Sequence, residues 1–380
     1  MKRILIITAT ILYCAVMIAQ DISQFKALND SAFQTNVAYT SGNKYQRDAI
    51  LFVDMLADTH PYYITKARRE VLFAGQDALL KACATCPNDS VFAELLINTL
   101  GDLHDKHTDV IDLGQLEAKK LAAQQKAKQN IDNGNEMMSY KGDLFHYTLV
   151  PEQGVCYLQF NQCMDARVAR NESLPRWDTM LDEMFGKMKE QGIKSLVVDA
   201  QYNNGGSSML CDELLVRLCP LENIKMLSSS MRFSNLMASF NPRIAVAKQT
   251  WESDGHIDEL YPIPAGKVGT GFVQPEVFDG KVVFVQSEKT YSSAGILMTL
   301  VRDNGIGKIV GTESSFSPSH YGEILPYRLP NTGILGTISC KYFARPDVDH
   351  LNDKSLVPDV TIDLSNKAQA WDQILSIVKQ

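Results

Sequence analysis

The stretch from Lys289 to Met298, "KTYSSAGILM", sets two serines between an aromatic residue and an apolar run with helical spacing. A serine in that place has two uses. Its hydroxyl can cap the first turn of the helix, or it can attack a carbonyl while the helix N–H groups and dipole stabilise the oxyanion that forms. These ten residues leave both uses open to Ser292 and Ser293. A second stretch, "VVDAQYNNGGSS", ends an apolar strand in Asp199 and continues through Asn203 and Asn204 to Gly205 and Gly206. Paired glycines permit close backbone approach and can turn N–H groups into a cleft, as an oxyanion requires; an ordinary glycine turn explains them too. A serine hydroxyl also needs a base near neutral pH. Imidazole suits the task, and the candidates are His107 in "DKHT" and His320 in "SPSHYGE". His104 and His107 also have the residue type of metal ligands, but two histidines three apart are a weak metal signal, and a structural role accounts for them better.

The elements that must position these residues follow from hydrophobic periodicity. Apolar residues recur on one helix face at Ile50, Val53 and Leu56, then from Val71 to Leu80, then from Phe92 to Leu100, with Pro61 and Pro87 between the runs. This predicts an N-terminal helical subdomain over 21–113 that closes at "LGDLHDKHTDV". A connecting segment over 114–141 carries an exposed Lys-, Gln- and Ala-rich helix from about Gln115 to Gln129. From 142 to 380 the pattern alternates between strands and helices, which predicts an α/β core with a mixed, partly parallel sheet. Its strands are "GVCYLQFNQ", "IKSLVVDA", "KVVFVQ" and "GKIVGTE", and its helices "PRWDTMLDEMFGKMKEQ", "MLCDELLVRLC" and "SSAGILMTLVRDNG". Two strand–turn–helix units thereby place the glycine pair and the serine pair at the same end of one sheet, where α/β proteins build their sites.

Composition bounds the function classes. The 380 residues are 45% hydrophobic and 21% charged, an ordinary globular balance that supports a large core. A net charge of −7 without a sustained basic cluster argues against nucleic acid or an anionic membrane surface as partner. Met1-Lys2-Arg3 followed by "ILIITATILYCAVMIA" reads as a signal peptide over 1–20, cleaved after Ala19 or Gln20, with an uncleaved N-terminal anchor as the alternative. The expected location is therefore periplasmic, cell-surface or secreted. Tyr13 is bulky where a lipoprotein signal wants a small residue, which argues against lipidation at Cys14. Of eight cysteines, seven follow the leader, and the Cys83-Ala-Thr-Cys86 spacing predicts a small disulfide or two buried thiols, since no second such pair exists to complete a zinc site.

Taken in order, "LGDLHDKHTDV", "SLVVDAQYNNGG", "VVFVQSEKTYSSA", "IVGTE" and "SLVPDVTI" resemble the S41 peptidases, the C-terminal processing and tricorn-like serine proteases. Their counterparts run D-G-H-T, an apolar strand with D-x-R-x-N-x-G-G, a strand with S-A-x-E, a strand ending in G-E, and a terminal G-V-x-P-D. "HYGE" at His320 and "LPNTG" at Leu329 add to the likeness with exported bacterial members. The resemblance covers most of the chain after the leader and implies a ClpP/crotonase-like core.

It also implies roles. Ser292 takes the nucleophile's place, the N–H groups of Ser293 and Gly206 form the oxyanion hole, and Gly295 stands where a glutamate is usual. The processing proteases take their base from a lysine about twenty-five residues after the serine, but that place holds Ser317, and no lysine lies between Lys308 and Lys341. Tricorn-like members take it from the D-G-H-T histidine, here His107. A site loop with His320, Tyr321 and Glu323 offers His320 as the rival base. Gln201 replaces the usual arginine, which predicts a weakened structural ion pair, and Asn352 stands where a base-orienting glutamate can lie. The interval from Thr108 to Gly154 is too short for a PDZ domain, so recognition of a substrate C-terminus through a PDZ groove is not expected. The implied activity is serine-type peptidase action on peptide or protein substrates without metal or organic cofactor. The alternatives are a catalytically impaired protein on the same fold that binds peptides or small apolar ligands, and an N-terminally anchored interaction protein.

Overall fold

The structure, a computed structural model, describes residues 22–101, 103–111, 137–268 and 273–380. The leader expected over 1–20 and the helix expected from Gln115 to Gln129 lie outside them. The described residues divide into two compact units: one falls within 1–124, 229–264 and 320–343, the other within 125–228, 265–319 and 344–380. The helical N-terminal segment thus shares its unit with two later excursions of the chain.

In the first unit the expected helices run Lys44–Thr59, Lys66–Ala84 and Asp89–Thr99. Asn43 and Gln46 form a reciprocal capping box that starts the first of these, and Asn88 caps the third through the Val91 N–H at 3.0 Å. Phe52, Leu56, Phe92 and Leu96 pack with Tyr327, Leu329 and Ile338 of a long antiparallel hairpin, His320–Arg328 with Leu335–Ala344. This hairpin lies inside a six-stranded sheet with Lys26–Ala27 against its first strand and Asp109–Ile111 against its second. The hairpin turn is the "LPNTG" stretch. Asp48, fully buried on the first helix, accepts bonds there from the N–H groups of Asn331 and Thr332 at 3.1 and 2.7 Å. It also accepts from Asn331 Nδ2 at 2.8 Å and Thr332 Oγ1 at 2.7 Å, so one carboxylate locks helix to hairpin.

The second unit holds the other six-stranded sheet, in the order Val360–Thr361, Lys308–Gly311, Lys281–Gln286, Ser195–Asp199, Val155–Phe160, Phe145–Val150. All neighbouring pairs are parallel except the last. Its central strands are apolar on both faces, as a parallel sheet covered on both sides requires. Leu196, Val198 and Phe284 face a cluster with Trp177, Leu181, Leu214 and Leu297, whereas Val197, Val283 and Val285 face Trp371, Ile374 and Tyr157. The helices Trp177–Glu190, Ser208–Leu218 and Ser293–Asp303 supply the first cover and Lys367–Val378 the second. All seven described cysteines are free thiols, and burial, with Cys86 beside it, pushes the Cys83 thiol up to about 12.

Candidate active site

In the second unit the strand Lys281–Gln286 runs into the turn 287–292, and the helix begins at Ser293. Ser292 occupies the N-cap position with φ 51° and ψ −126°, and its side chain does not make the capping bond that a serine there ordinarily makes. A non-glycine residue with that φ is strained, and such strain persists only where the surroundings over-determine it. The surroundings are visible. Thr290 Oγ1 donates to the Ala200 carbonyl at 2.8 Å, and Tyr291 N–H donates to the Asn203 carbonyl at 3.0 Å, so the serine turn is stitched to the glycine turn.

Asn203 is the hub of that stitching. Fully buried, it donates from Nδ2 to the Phe160 carbonyl at 3.0 Å and accepts the Gly205 N–H on Oδ1 at 2.9 Å. Gly205 thus spends its N–H internally. Gly206 forms an isolated bridge with Cys163, made by bonds of Cys163 to the Gly205 carbonyl at 3.1 Å and the Ser207 N–H at 2.8 Å, so it draws on neither polar group of Gly206. The Gly206 carbonyl instead accepts Ser293 Oγ at 2.7 Å, which holds the glycine turn against the helix start. Both glycines are obligatory. A Cβ on Gly205, at φ 104°, would lie 2.7 Å from Ser292 Cβ, and one on Gly206, at φ 134°, would lie 2.3 Å from the Cys163 carbonyl oxygen. The structure therefore brings Ser292, Ser293, Gly205 and Gly206 together, with the Ser293 N–H in the first helical turn, where N–H groups have no intrahelical acceptor.

Gly295, in the place of the family glutamate, has a steric reason to be glycine: a Cβ there would lie 2.3 Å from Phe316 Cδ1. Gln201 also compensates for what it replaces. Its Nε2 donates to Asp199 Oδ2 at 2.7 Å and its N–H to Oδ1 at 3.0 Å, while Tyr157 Oη donates to Oδ2 at 2.6 Å. Neutral donors thus hold the Asp199 carboxyl, and burial pushes it up.

The histidines belong to the first unit. His107 Nδ1 faces Asp105 Oδ1 at 3.5 Å, and the His107 N–H donates to the same oxygen at 2.9 Å. The other oxygen, Oδ2, accepts Thr108 Oγ1 at 2.7 Å and His60 Nε2 at 3.0 Å. The Asp105 side chain is 1% exposed and that of His60 0%. Burial alone would raise the Asp105 carboxyl; the bonds from His107 and His60 outweigh it and hold the group well below the usual carboxylate range. His104 is exposed on the preceding turn, at φ 50°.

His320 and Tyr321 lie near this cluster, with the His320 and His107 rings 6.2 Å apart and Tyr321 4.7 Å from His60. They sit on a strand, not on the expected loop, because His320 and Tyr321 pair across the hairpin with Phe343 and Tyr342, and the His320 ring stacks on Phe343 at 5.2 Å. Glu323 is on the same strand at φ 54°, yet its half-exposed carboxylate pairs with Lys341 at 3.0 Å rather than with either histidine. Asn352 is exposed in the second unit.

Sequence reasoning missed His60, whose only signal was a histidine before proline at a helix end, and it saw Asp105 only as part of a motif. A sequence model of peptidase family S41 matches residues 154–362. No curated protein matches the chain in sequence. Among solved structures, mature CPAF is similar with a TM-score of 0.61 at 12% identity, over 88% of this chain and 96% of that one. A candidate peptidase of Parabacteroides merdae gives 0.56 at 16% identity, over 87% and 96%. The photosystem II D1 C-terminal processing protease gives 0.50 at 12%, over 89% and 98%.

Proposed function

Because the chain belongs to peptidase family S41, we propose that it hydrolyses peptide bonds with Ser292 as nucleophile and His107 as base. The observation that carries this reading is the Ser292 backbone, held at positive φ between a buried strand and a helix. Nucleophilic serines of α/β hydrolases sit on strand-to-helix turns of this kind, which hold the hydroxyl at the open end of the sheet. His107 is preferred to His320 because its Nδ1 faces a buried carboxylate that can orient the ring and stabilise the imidazolium.

The steps follow. His107 takes the proton of Ser292 Oγ through Nε2 as Oγ bonds to the substrate carbonyl carbon. The carbonyl oxygen becomes an oxyanion, stabilised by the N–H groups of Gly206 and Ser293. As the C–N bond breaks, the protonated His107 returns its proton to the leaving amine. A water molecule, deprotonated by the same histidine, then attacks the acyl carbon; as the C–Oγ bond breaks, His107 returns that proton to Ser292 Oγ and the carboxylic acid product leaves. Asp105 keeps Nδ1 as the donor nitrogen and stabilises the imidazolium, as the carboxylate of a serine triad does.

The test is labelling of the folded protein with a fluorophosphonate probe. Ser292 should be acylated, Ser292→Ala should abolish labelling, and His107→Ala should slow it by about 100-fold or more. A folded protein that never labels and cleaves no peptide library is a binder, not a peptidase. The basic head and apolar run of residues 1–20 support export to the periplasm, cell surface or medium. N-terminal sequencing of cell-derived protein checks this, with Gln20 or Asp21 expected as the first residue.

A further inference from the structure

We propose that His60 is a positioning residue for His107, acting through Asp105 to fix the orientation of the His107 ring and to keep its proton on Nδ1. The inference rests on the reading of His107 as the base, but its own evidence is the wiring around one carboxylate. The two nitrogens of His60 have different partners. Nδ1 accepts the Tyr62 N–H at 3.1 Å, so in the neutral ring the proton is on Nε2, which donates it to Asp105 Oδ2 at 3.0 Å. The ring cannot turn away, because it is fully buried and packs on Tyr321 at 4.7 Å and edge-on to Tyr63 at 6.2 Å.

Thr108 Oγ1 approaches the same oxygen, and that hydroxyl is itself held by the Ser339 N–H at 3.0 Å. Oδ2 is thereby clamped from two elements, the end of the helix Lys44–Thr59 and the strand Leu335–Ala344. A carboxyl group is planar, so clamping Oδ2 sets the direction of Oδ1, the oxygen that faces His107 Nδ1 at 3.5 Å. A buried histidine with a purely structural role needs only satisfied nitrogens. His60 goes further by placing its donor on the carboxylate that the proposed base also meets. It stands forty-five residues before Asp105 and lies outside the residues matched by the family.

The experiment compares His60→Asn with His60→Gln in the full chain. Asparagine keeps an acceptor for the Tyr62 N–H but is too short to reach Asp105, whereas glutamine places a donor near the position of Nε2. Imidazole nitrogen-15 shifts, recorded at a pH where they show the neutral ring, report the His107 tautomer, with its signals assigned by their loss in His107→Ala. Wild type and His60→Gln should show His107 protonated on Nδ1. His60→Asn should move it toward the Nε2–H form and slow fluorophosphonate acylation of Ser292 by about 10- to 100-fold. If His107 keeps its Nδ1 proton in His60→Asn, the inference is overturned, whatever happens to stability or labelling. If the tautomer responds as expected but wild type never labels, the positioning stands and the peptidase reading fails instead.

Discussion

At the scale of single residues, the glycine at position 295, where the resemblance expects a glutamate, has a local physical reason. Gly295 is a glycine because the Phe316 ring occupies the space its side chain would need, with ring atoms at 2.3 and 2.5 Å from a built Cβ. Restoring the family residue should therefore do harm. Gly295→Ala is expected to lower stability by about 1–3 kcal/mol through overpacking, and Gly295→Glu by more, with no gain in Ser292 acylation. Urea denaturation and probe labelling check this, and a stable, faster-labelling Gly295→Glu would contradict it. Serine, glycine pair and histidine were legible because each needs only its own type and immediate neighbours to be noticed. Phe316, twenty-one positions on, announced nothing.

At the scale of elements, the site depends on how strand ends are tied to one another. Asn203 joins three of them through the Phe160 carbonyl, the Gly205 N–H and its own carbonyl to Tyr291 N–H. Asn203→Ala removes the partners of a buried carbonyl and a buried N–H, so a loss of about 2–4 kcal/mol is expected. Because the same bonds hold the glycine turn, acylation of Ser292 should fall by at least about tenfold in the protein that remains folded. Loss of stability with an unchanged acylation rate would show that the turn keeps its shape without Asn203. The strands and helices around this hub were readable from periodicity, since apolar runs such as "SLVVD" and "KVVFVQ" fit a sheet buried on both faces. The placement of "HYGE" on a strand was not, because the cross-strand partners of His320 and Tyr321 lie more than twenty residues away.

At the scale of the whole molecule, Asp105 ties stability to pH. Its carboxyl is held below the usual range in the folded state. Such a group contributes stability that is fully present above its unfolded value, near about 4, and is lost as pH falls through the folded value. The difference in urea midpoint between wild type and Asp105→Asn should therefore shrink on acidification below about pH 4; a difference that stays constant to lower pH would refute the depressed carboxyl. The sequence by itself determined the two-sided parallel sheet, the serine and glycine turns at its end and the family they belong to, because periodicity and turn chemistry act over a few residues. Only the tertiary structure decided that Ser292 is not spent as a cap, that Phe316 excludes a side chain at Gly295, and that His60 shares Asp105 with His107. Those outcomes depend on which distant segments the fold packs around one atom, and no local pattern encodes that choice.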